Sequence, residues 1–262
     1  MTQLADKTQV EAGELEGTVA ALLREYGHLD GEALLRPLIE DRFRGCIALV
    51  SSFGAEAAVL LRLVAAIDPA TPVIFVDTGK LFGETLRYRD KLVRLLGLTD
   101  LRVLTPVAER VERLDPDGTL WHADPDLCCA LRKVEPLHRA LSGFDAWISG
   151  RKRYQSSART QIPLIEAVDG RVKINPIAPW TKARIEEEFQ RYALPPHPLE
   201  EDGFMSIGCM PCTERVAPGE DARAGRWAGS GKTECGIHTM TGAQLTRSLD
   251  AAAPDKTGPA KT

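Results

Sequence analysis

No stretch of this 262-residue chain offers the roughly 20 consecutive apolar residues that a bilayer-spanning helix needs. The longest candidate, residues 55–67, is interrupted by Glu56 and Arg62 and reads as a buried helix. The first 16 residues lack the apolar core of a signal peptide, so export is not expected and the chain is read as cytoplasmic. A basic excess is also missing. The 33 Lys and Arg face 37 Asp and Glu, giving a formal net charge of -4, which argues against a general nucleic-acid or membrane-surface binder because counterion release needs a broad positive surface. The G-x-x-x-x-G-K-[ST] phosphate loop is absent, which excludes a Walker-type nucleotidase as a motif match. His28, His122, His138 and His197 show no ligand spacing and read as structural or surface residues, and there is no internal repeat.

What the chain does have is 44% hydrophobic residues, enough to bury one full core. Residues 46–51 form a short apolar run suited to a buried strand, followed by a Ser-Phe-Gly turn and the helical stretch over 55–67. Further strands are expected over 73–76, 101–104 and 146–149, with a strand or hairpin arm over 172–175, and helices over 84–96 and 182–192. Strands alternating with helices predict an α/β fold, a parallel twisted sheet flanked by helices with right-handed crossovers. Residues 194–231 are rich in Pro and Gly and predict loops anchored by something other than a core. The expected organisation is a helical extension over 1–40, a main domain over 41–240 and a mobile tail over 241–262, which lacks apolar periodicity and ends AAAPDKTGPAKT.

The six cysteines of a reducing compartment more often bind metal or do chemistry than form disulfides. Cys128 and Cys129 are adjacent, and Cys209 and Cys212 form a C-x-x-C pair. Four thiolates suit either tetrahedral zinc or an iron-sulfur cluster. A vicinal pair strains to reach one small ion but can serve two irons of a cube, which favours a 4Fe-4S cluster over zinc. The competing reading makes Cys128 and Cys129 core residues and the later pair an unrelated turn. Cys46 sits in a strand and reads as core. Lys133, four residues after Cys129, would share its helix face and point a cation at the metal.

Cys235 follows Gly229 and Gly231 in KTECGIH, a poor place for packing; Lys232, His238 or nearby arginines would favour its thiolate. Alone, it would read as a surface cysteine. Arg223 and Arg226 in RAGRW and the basic stretch starting at Arg151 offer forked donors for phosphate or sulfate oxygens, although most charge runs are solvated faces. The Ser51-Ser52-Phe53-Gly54 turn can hold an anion on backbone N–H groups, and Asp77-Thr78-Gly79 falls at the carboxyl edge of the sheet, where open α/β folds bind ligands. Each signal is weak by itself.

Together these segments resemble the adenylyl-sulfate reductases, the iron-sulfur branch of the assimilatory family that also holds the phosphoadenylyl-sulfate reductases. The likeness runs from about Ser51 to His238 through SSFGAE, VDTG, CCALRKVEPL, HPL, SIGCMPCT, RAGRW and KTECGIH, of which CC with CxxC and ECGIH in order are the specific parts. It implies a pyrophosphatase-loop (adenine nucleotide alpha hydrolase-like) fold, a 4Fe-4S cluster on Cys128, Cys129, Cys209 and Cys212, and catalysis by Cys235. It also implies that Ser51, Ser52 and Gly54 hold the nucleotide phosphates, that Asp77, Thr78 and Gly79 line the adenosine pocket, and that Lys133, Arg223, Arg226 and His238 surround the phosphosulfate with Arg151 nearby. The family often has an acidic residue where this chain has Tyr154, so that position receives no role. The implied reaction is thiolate attack on adenosine 5'-phosphosulfate, loss of AMP and release of sulfite by an external thioredoxin or glutaredoxin. A homo-oligomer is left open. The neighbouring alternatives are a reductase of the 3'-phosphorylated nucleotide or one accepting both. From other classes come a zinc-stabilised nucleotide-binding module and an ATP-dependent tRNA-thiolation enzyme, the last disfavoured because the turn does not spell SGGxDS.

Overall fold

The computed structural model describes residues 2–217, 219–229 and 231–252, with side chains from residue 12 onward. Six strands form one sheet: β1 Ile47–Val50, β2 Val73–Val76, β3 Leu101–Leu104, β4 Ala146–Ser149, β5 Ile165–Val168 and β6 Arg171–Ile174. Their spatial order is β3-β2-β1-β4-β6-β5, parallel throughout except for the β5–β6 pair. β1 (IALV) and β4 (AWIS) lack alternation because helices cover both faces of a parallel sheet. The hairpin arm expected over 172–175 is β6, shifted by one residue, and its partner β5 is an edge strand that residues 165–168 (IEAV) did not announce.

The helices in chain order are α1 Thr2–Tyr26, α2 Gly31–Pro37, α3 Ala57–Ile67, α4 Gly83–Leu96, α5 Ala108–Leu114, α6 Leu120–Ala123, α7 Pro125–Cys129, α8 Glu135–Leu141, α9 Lys182–Arg191, α10 Gly236–Thr239 and α11 Gly242–Ala251. α3 is apolar nearly all round because it is wedged between α2, α4 and α9 and contributes Ala58 to Leu61, Leu63 and Val64 to the core. α1 and α2 add Val19, Leu22, Leu34 and Leu35 to that same core, with α1 lying on β5 and β6, so the expected extension over 1–40 is built into the main unit.

The tail expected over 241–262 needs correction. Residues 242–251 are α11, capped by Thr241, whose side chain accepts from the Gln244 N–H, while Leu245 and Leu249, one turn apart, pack on Ala130, Leu131 and Val134. Two apolar residues make too faint a period to read from sequence; residues 253–262 lie outside the described residues. Among the described residues, no helix is long and apolar enough to cross a membrane.

Candidate active site

The strand order reverses between β1 and β4, and in open α/β sheets the crevice beyond the carboxyl ends of such strands is where ligands bind. A cavity of about 220 Å³ opens there. On its β1 side the Ser51 hydroxyl accepts from the Phe53 N–H at 3.2 Å, folding the chain into a turn whose Phe53 is left-handed (φ 50) and buried edge-on against Phe75. Gly54 allows the turn to pass close to the 205–208 loop: a Cβ there would lie 3.2 Å from the Ile207 carbonyl oxygen. Ser51, Ser52 and Gly54 all line the cavity.

The walls are cationic. Lys133, Arg151, Lys152, Arg159, Arg223 and Arg226 face it, against two carboxylates, Glu56 and Glu234. Glu56 accepts from Lys152 Nζ at 2.7 Å, Gln155 Nε2 at 2.8 Å and the Tyr154 hydroxyl; burial pushes its pKa up, but Lys152 and these hydrogen bonds outweigh it and hold the carboxyl below its ordinary value. Glu234 is gripped by Arg159 and Arg223. Arg151 donates to Glu166 and, at 3.3 Å, to Asn175. Lys173, wholly buried 4.8 Å over the Trp147 ring, is pulled down to about 8 by burial and then by the Arg151 charge. His238 also lines the cavity; its pKa falls well below the ordinary value through burial and the surrounding Lys173, Arg151, Arg159 and Arg223 charges, so the ring is neutral. Four buried polar atoms of cavity-lining residues, Ser149 Oγ, Arg151 Nε, Arg223 Nε and His238 Nδ1, have no hydrogen-bond partner among the described residues. Each such group costs about 1–3 kcal/mol unless something satisfies it, and all four can donate to an oxyanion, His238 in the tautomer protonated at Nδ1.

Cys235 sits in this wall, 9% exposed, immediately before α10. Its thiol is pushed well below its ordinary value by a hydrogen bond from Cys129, then by the Lys133 and Arg226 charges and the Ile237 N–H, with burial working the other way.

A second, smaller cavity adjoins the first and is lined by Cys128, Cys129, Cys209 and Cys212 with Arg132, Lys133 and Trp227. Lys133 and Trp227 line both cavities. The first cysteine pair ends α7, whose start is fixed by Pro125 and by Asp124, which accepts from the Asp126 and Leu127 N–H groups at 3.1 and 2.9 Å. The chain then widens into a π-helical turn, Ala130–Val134, that carries Arg132 and Lys133. Cys209 and Cys212 flank a 3-10 turn pinned by the Met210 N–H to the Lys80 carbonyl at 2.8 Å. Burial pushes the Cys128 thiol up to about 11 and also raises Cys212. Lys133 is raised: its burial is outweighed by Cys209, Cys235 and Cys129.

Asp77, Thr78 and Gly79 are not brought to the large cavity. Thr78 is fully buried with its hydroxyl 3.2 Å from Cys209 Sγ and its carbonyl accepting from Arg132, while Asp77 folds back onto the Gly79 N–H. The loop after β2 turns towards the cysteines because Arg132, held by Asp115, draws the Thr78 carbonyl that way. Sequence reasoning missed Glu56, Arg159 and Glu234, and named Lys152 only as part of the basic stretch over 151–153. Glu56 and its partners lie about a hundred positions apart and left no local signal, whereas Glu234 stood beside Cys235 in plain view.

Fold and site together define an α/β protein that presents a buried thiol to a cationic cavity beyond the carboxyl ends of its central strands. Residues 46–215 match the phosphoadenosine phosphosulfate reductase domain. A protein of Chelativorans sp. (strain BNC1) named adenosine 5'-phosphosulfate reductase is 50% identical over 232 residues, 88% of this chain and 91% of its own. One of the same name from Mesorhizobium japonicum is 51% identical over 213 residues, 81% of this chain and 84% of its own. The crystal structure of phosphoadenylyl-sulfate reductase from Candida auris in its phosphate complex superposes with a TM-score of 0.64 at 27% identity, covering 76% of this chain and 96% of that one. The chain belongs to the phosphoadenosine phosphosulfate reductase family, a family of oxidoreductases acting on sulfur.

Proposed function

We propose that this protein reduces adenosine 5'-phosphosulfate to sulfite and AMP in sulfate assimilation, with Cys235 as the nucleophile. The observation that carries the reading is the placement of the Cys235 sulfur, with Lys133 and Arg226, in the wall of a cation-lined cavity at the β1/β4 switch. The relatives named for this reaction support the choice of nucleotide. Ser51, Ser52 and Gly54 bind the nucleotide phosphate region; Lys133, Arg223, Arg226 and His238 surround the sulfuryl end, with Arg151 behind them. Neutral His238 can donate or accept at its unpartnered Nδ1 without adding charge. The placement of Asp77, Thr78 and Gly79 supports a part in holding the cysteine loops instead of the adenosine.

The Cys235 thiolate attacks sulfur, the S–O bond to the nucleotide phosphate breaks, and AMP leaves with its electron pair while Arg and Lys side chains stabilise the charge. A thiol of an external dithiol protein, a thioredoxin or glutaredoxin, then attacks Cys235 Sγ. Sulfite departs with the S–S bonding pair, and the second thiol of that dithiol resolves the mixed disulfide, so that its two electrons reduce the sulfuryl sulfur.

The donor set fits a 4Fe-4S cluster. Four thiols line one cavity, with Arg132 and Lys133 beside them to offset the negative charge of a thiolate-bound cluster. When bound, the cluster supplies a fixed charge and an anchor for the two cysteine loops. Lys133, lining both cavities, carries its field to the substrate side.

Anaerobically purified protein incubated with adenosine 5'-phosphosulfate and weighed intact should gain one SO3 group, and Cys235→Ser should gain none. Turnover without any such adduct on the wild type would reject the mechanism.

A further inference from the structure

Four hydrogen bonds converge on one carboxylate beside the nucleophile. Glu234 Oε2 accepts from Arg159 Nε at 2.6 Å, and Oε1 accepts from Arg159 Nη2 at 2.7 Å, from Arg223 Nη2 at 3.1 Å and from the Cys235 N–H at 2.9 Å. The side chains are nearly closed to solvent, 12% exposed for Glu234, 8% for Arg159 and 10% for Arg223, yet all three line the large cavity. An arginine fork that fits a carboxylate fits a sulfate or phosphate equally well, so the internal anion and an anionic ligand compete for the same donors. Oε1 has a second duty, since it also fixes the backbone of Cys235. Whatever displaces the carboxylate from the arginines therefore loosens the nucleophile's segment.

We propose that Glu234 is a positioning residue that occupies the Arg159–Arg223 fork in place of the substrate's oxyanion and couples arrival of that oxyanion to release of the Cys235 backbone. The proposal rests on the functional reading above for its substrate, but the competition itself does not. A carboxylate serving only to brace the fold predicts that removing it scatters the arginines and weakens anion binding. A competing carboxylate predicts the opposite, at the expense of turnover, because Cys235 loses its anchor.

The test uses iron-replete, anaerobically handled protein. Calorimetric binding of inorganic sulfate and of adenosine 5'-phosphosulfate is compared between Cys235→Ser and Cys235→Ser combined with Glu234→Gln. Both ligands should bind about tenfold more tightly to the double variant, the factor expected for loss of roughly 1.4 kcal/mol of competition. In otherwise native protein, Glu234→Gln should lower KM and kcat together, a split that a bracing role would not produce. Glu234→Asp, which keeps the charge and withdraws it by one methylene, should tighten sulfate binding by a smaller factor, and it serves if the Gln variant does not fold. Sulfate binding that is unchanged or weaker in these variants overturns the proposal. Tighter sulfate binding with no detectable binding of the nucleotide would leave the competition standing and sink the functional reading instead.

Discussion

Glu56 shows how much a single side chain carries in this cavity. Lys152, 4% exposed, has this carboxylate as its ion-pair partner, and Tyr154 and Gln155 donate to it as well. Losing one member of a buried pair strands the other, at about 3–5 kcal/mol, whereas replacing both with apolar groups can be near neutral. Urea titration of Glu56→Gln should therefore show a loss of that order, and adding Lys152→Met should recover most of it; if the second change gives no recovery, the ion pair is not the cause. His197 and Glu200 form a second residue-scale case with opposite signs. His197 is fully buried, with Nδ1 accepting from the Leu199 N–H and Nε2 against the Thr85 hydroxyl, and burial pulls its pKa to about 4. Its neutral form is the one the fold favours, so its contribution is complete above about 6.5 and is lost as pH falls through 4. Burial raises Glu200 to about 7; its contribution is complete below the ordinary carboxyl value and is lost as pH rises through 7. Between about 4.5 and 6.5 the two proton balances cancel. Glu200→Gln should leave His197 unopposed, making stability climb with pH in that window by up to about 1.4 kcal/mol per unit, and should be more stable than the wild type above pH 8. Parallel curves for the two proteins from pH 4.5 to 8 would refute this account.

At the scale of elements, α11 braces the cysteine segment from outside. Leu245 and Leu249 cover Ala130, Leu131 and Val134, which lie in or beside the π-helical turn that follows Cys129. Leu249→Ala should cost about 2–5 kcal/mol by opening a cavity there, and Thr241→Ala about 1 kcal/mol by removing the cap. Because the turn holds Arg132 and Lys133, the Leu variant should also lose acid-labile sulfide faster in air than the Thr variant does. Equal loss from both would separate the helix from the cysteine site. This helix also marks where the sequence stopped being legible. β2 could be bounded to the residue because four consecutive apolar or β-branched residues between turns admit little else, and β3 (LRVL) and β4 (AWIS) because each is a short, mostly apolar run between turn signals. Cys128, Cys129, Cys209 and Cys212 stood out as rare, closely spaced thiols, and Cys235 through the KTECGIH segment around it. By contrast, Glu56 meets Tyr154 and Gln155 only through the β1/β4 pairing, and Thr78 turns to Cys209 only because Arg132 and Asp115 are buried together beside it. Such contacts are decided by packing between distant segments, and no local period records them.

At the scale of the whole molecule, charge is sorted against its average. A chain with a formal net charge of -4 turns six cations and two carboxylates toward one cavity. Walls of low polarisability focus such a field, so an anionic ligand is drawn to the cavity mouth although most of the surface repels it. Attraction across solvent is screened over about 10 Å at 0.1 M salt, while contacts already made inside the cavity are screened much less. Capture and chemistry should therefore separate in their response to ionic strength. Raising sodium chloride from about 20 mM to about 200 mM should increase KM for adenosine 5'-phosphosulfate several-fold and leave kcat nearly flat. Removing one wall charge should make that salt response shallower, and Arg226→Gln is the informative choice because Arg226 shares the cavity wall with Cys235. Its KM should lose salt sensitivity while its kcat falls at every salt concentration, since less positive charge awaits the departing AMP. If salt instead lowers kcat and leaves KM unchanged, the cations act only on the reacting atoms, and the field drawing the nucleotide in must come from elsewhere on the surface.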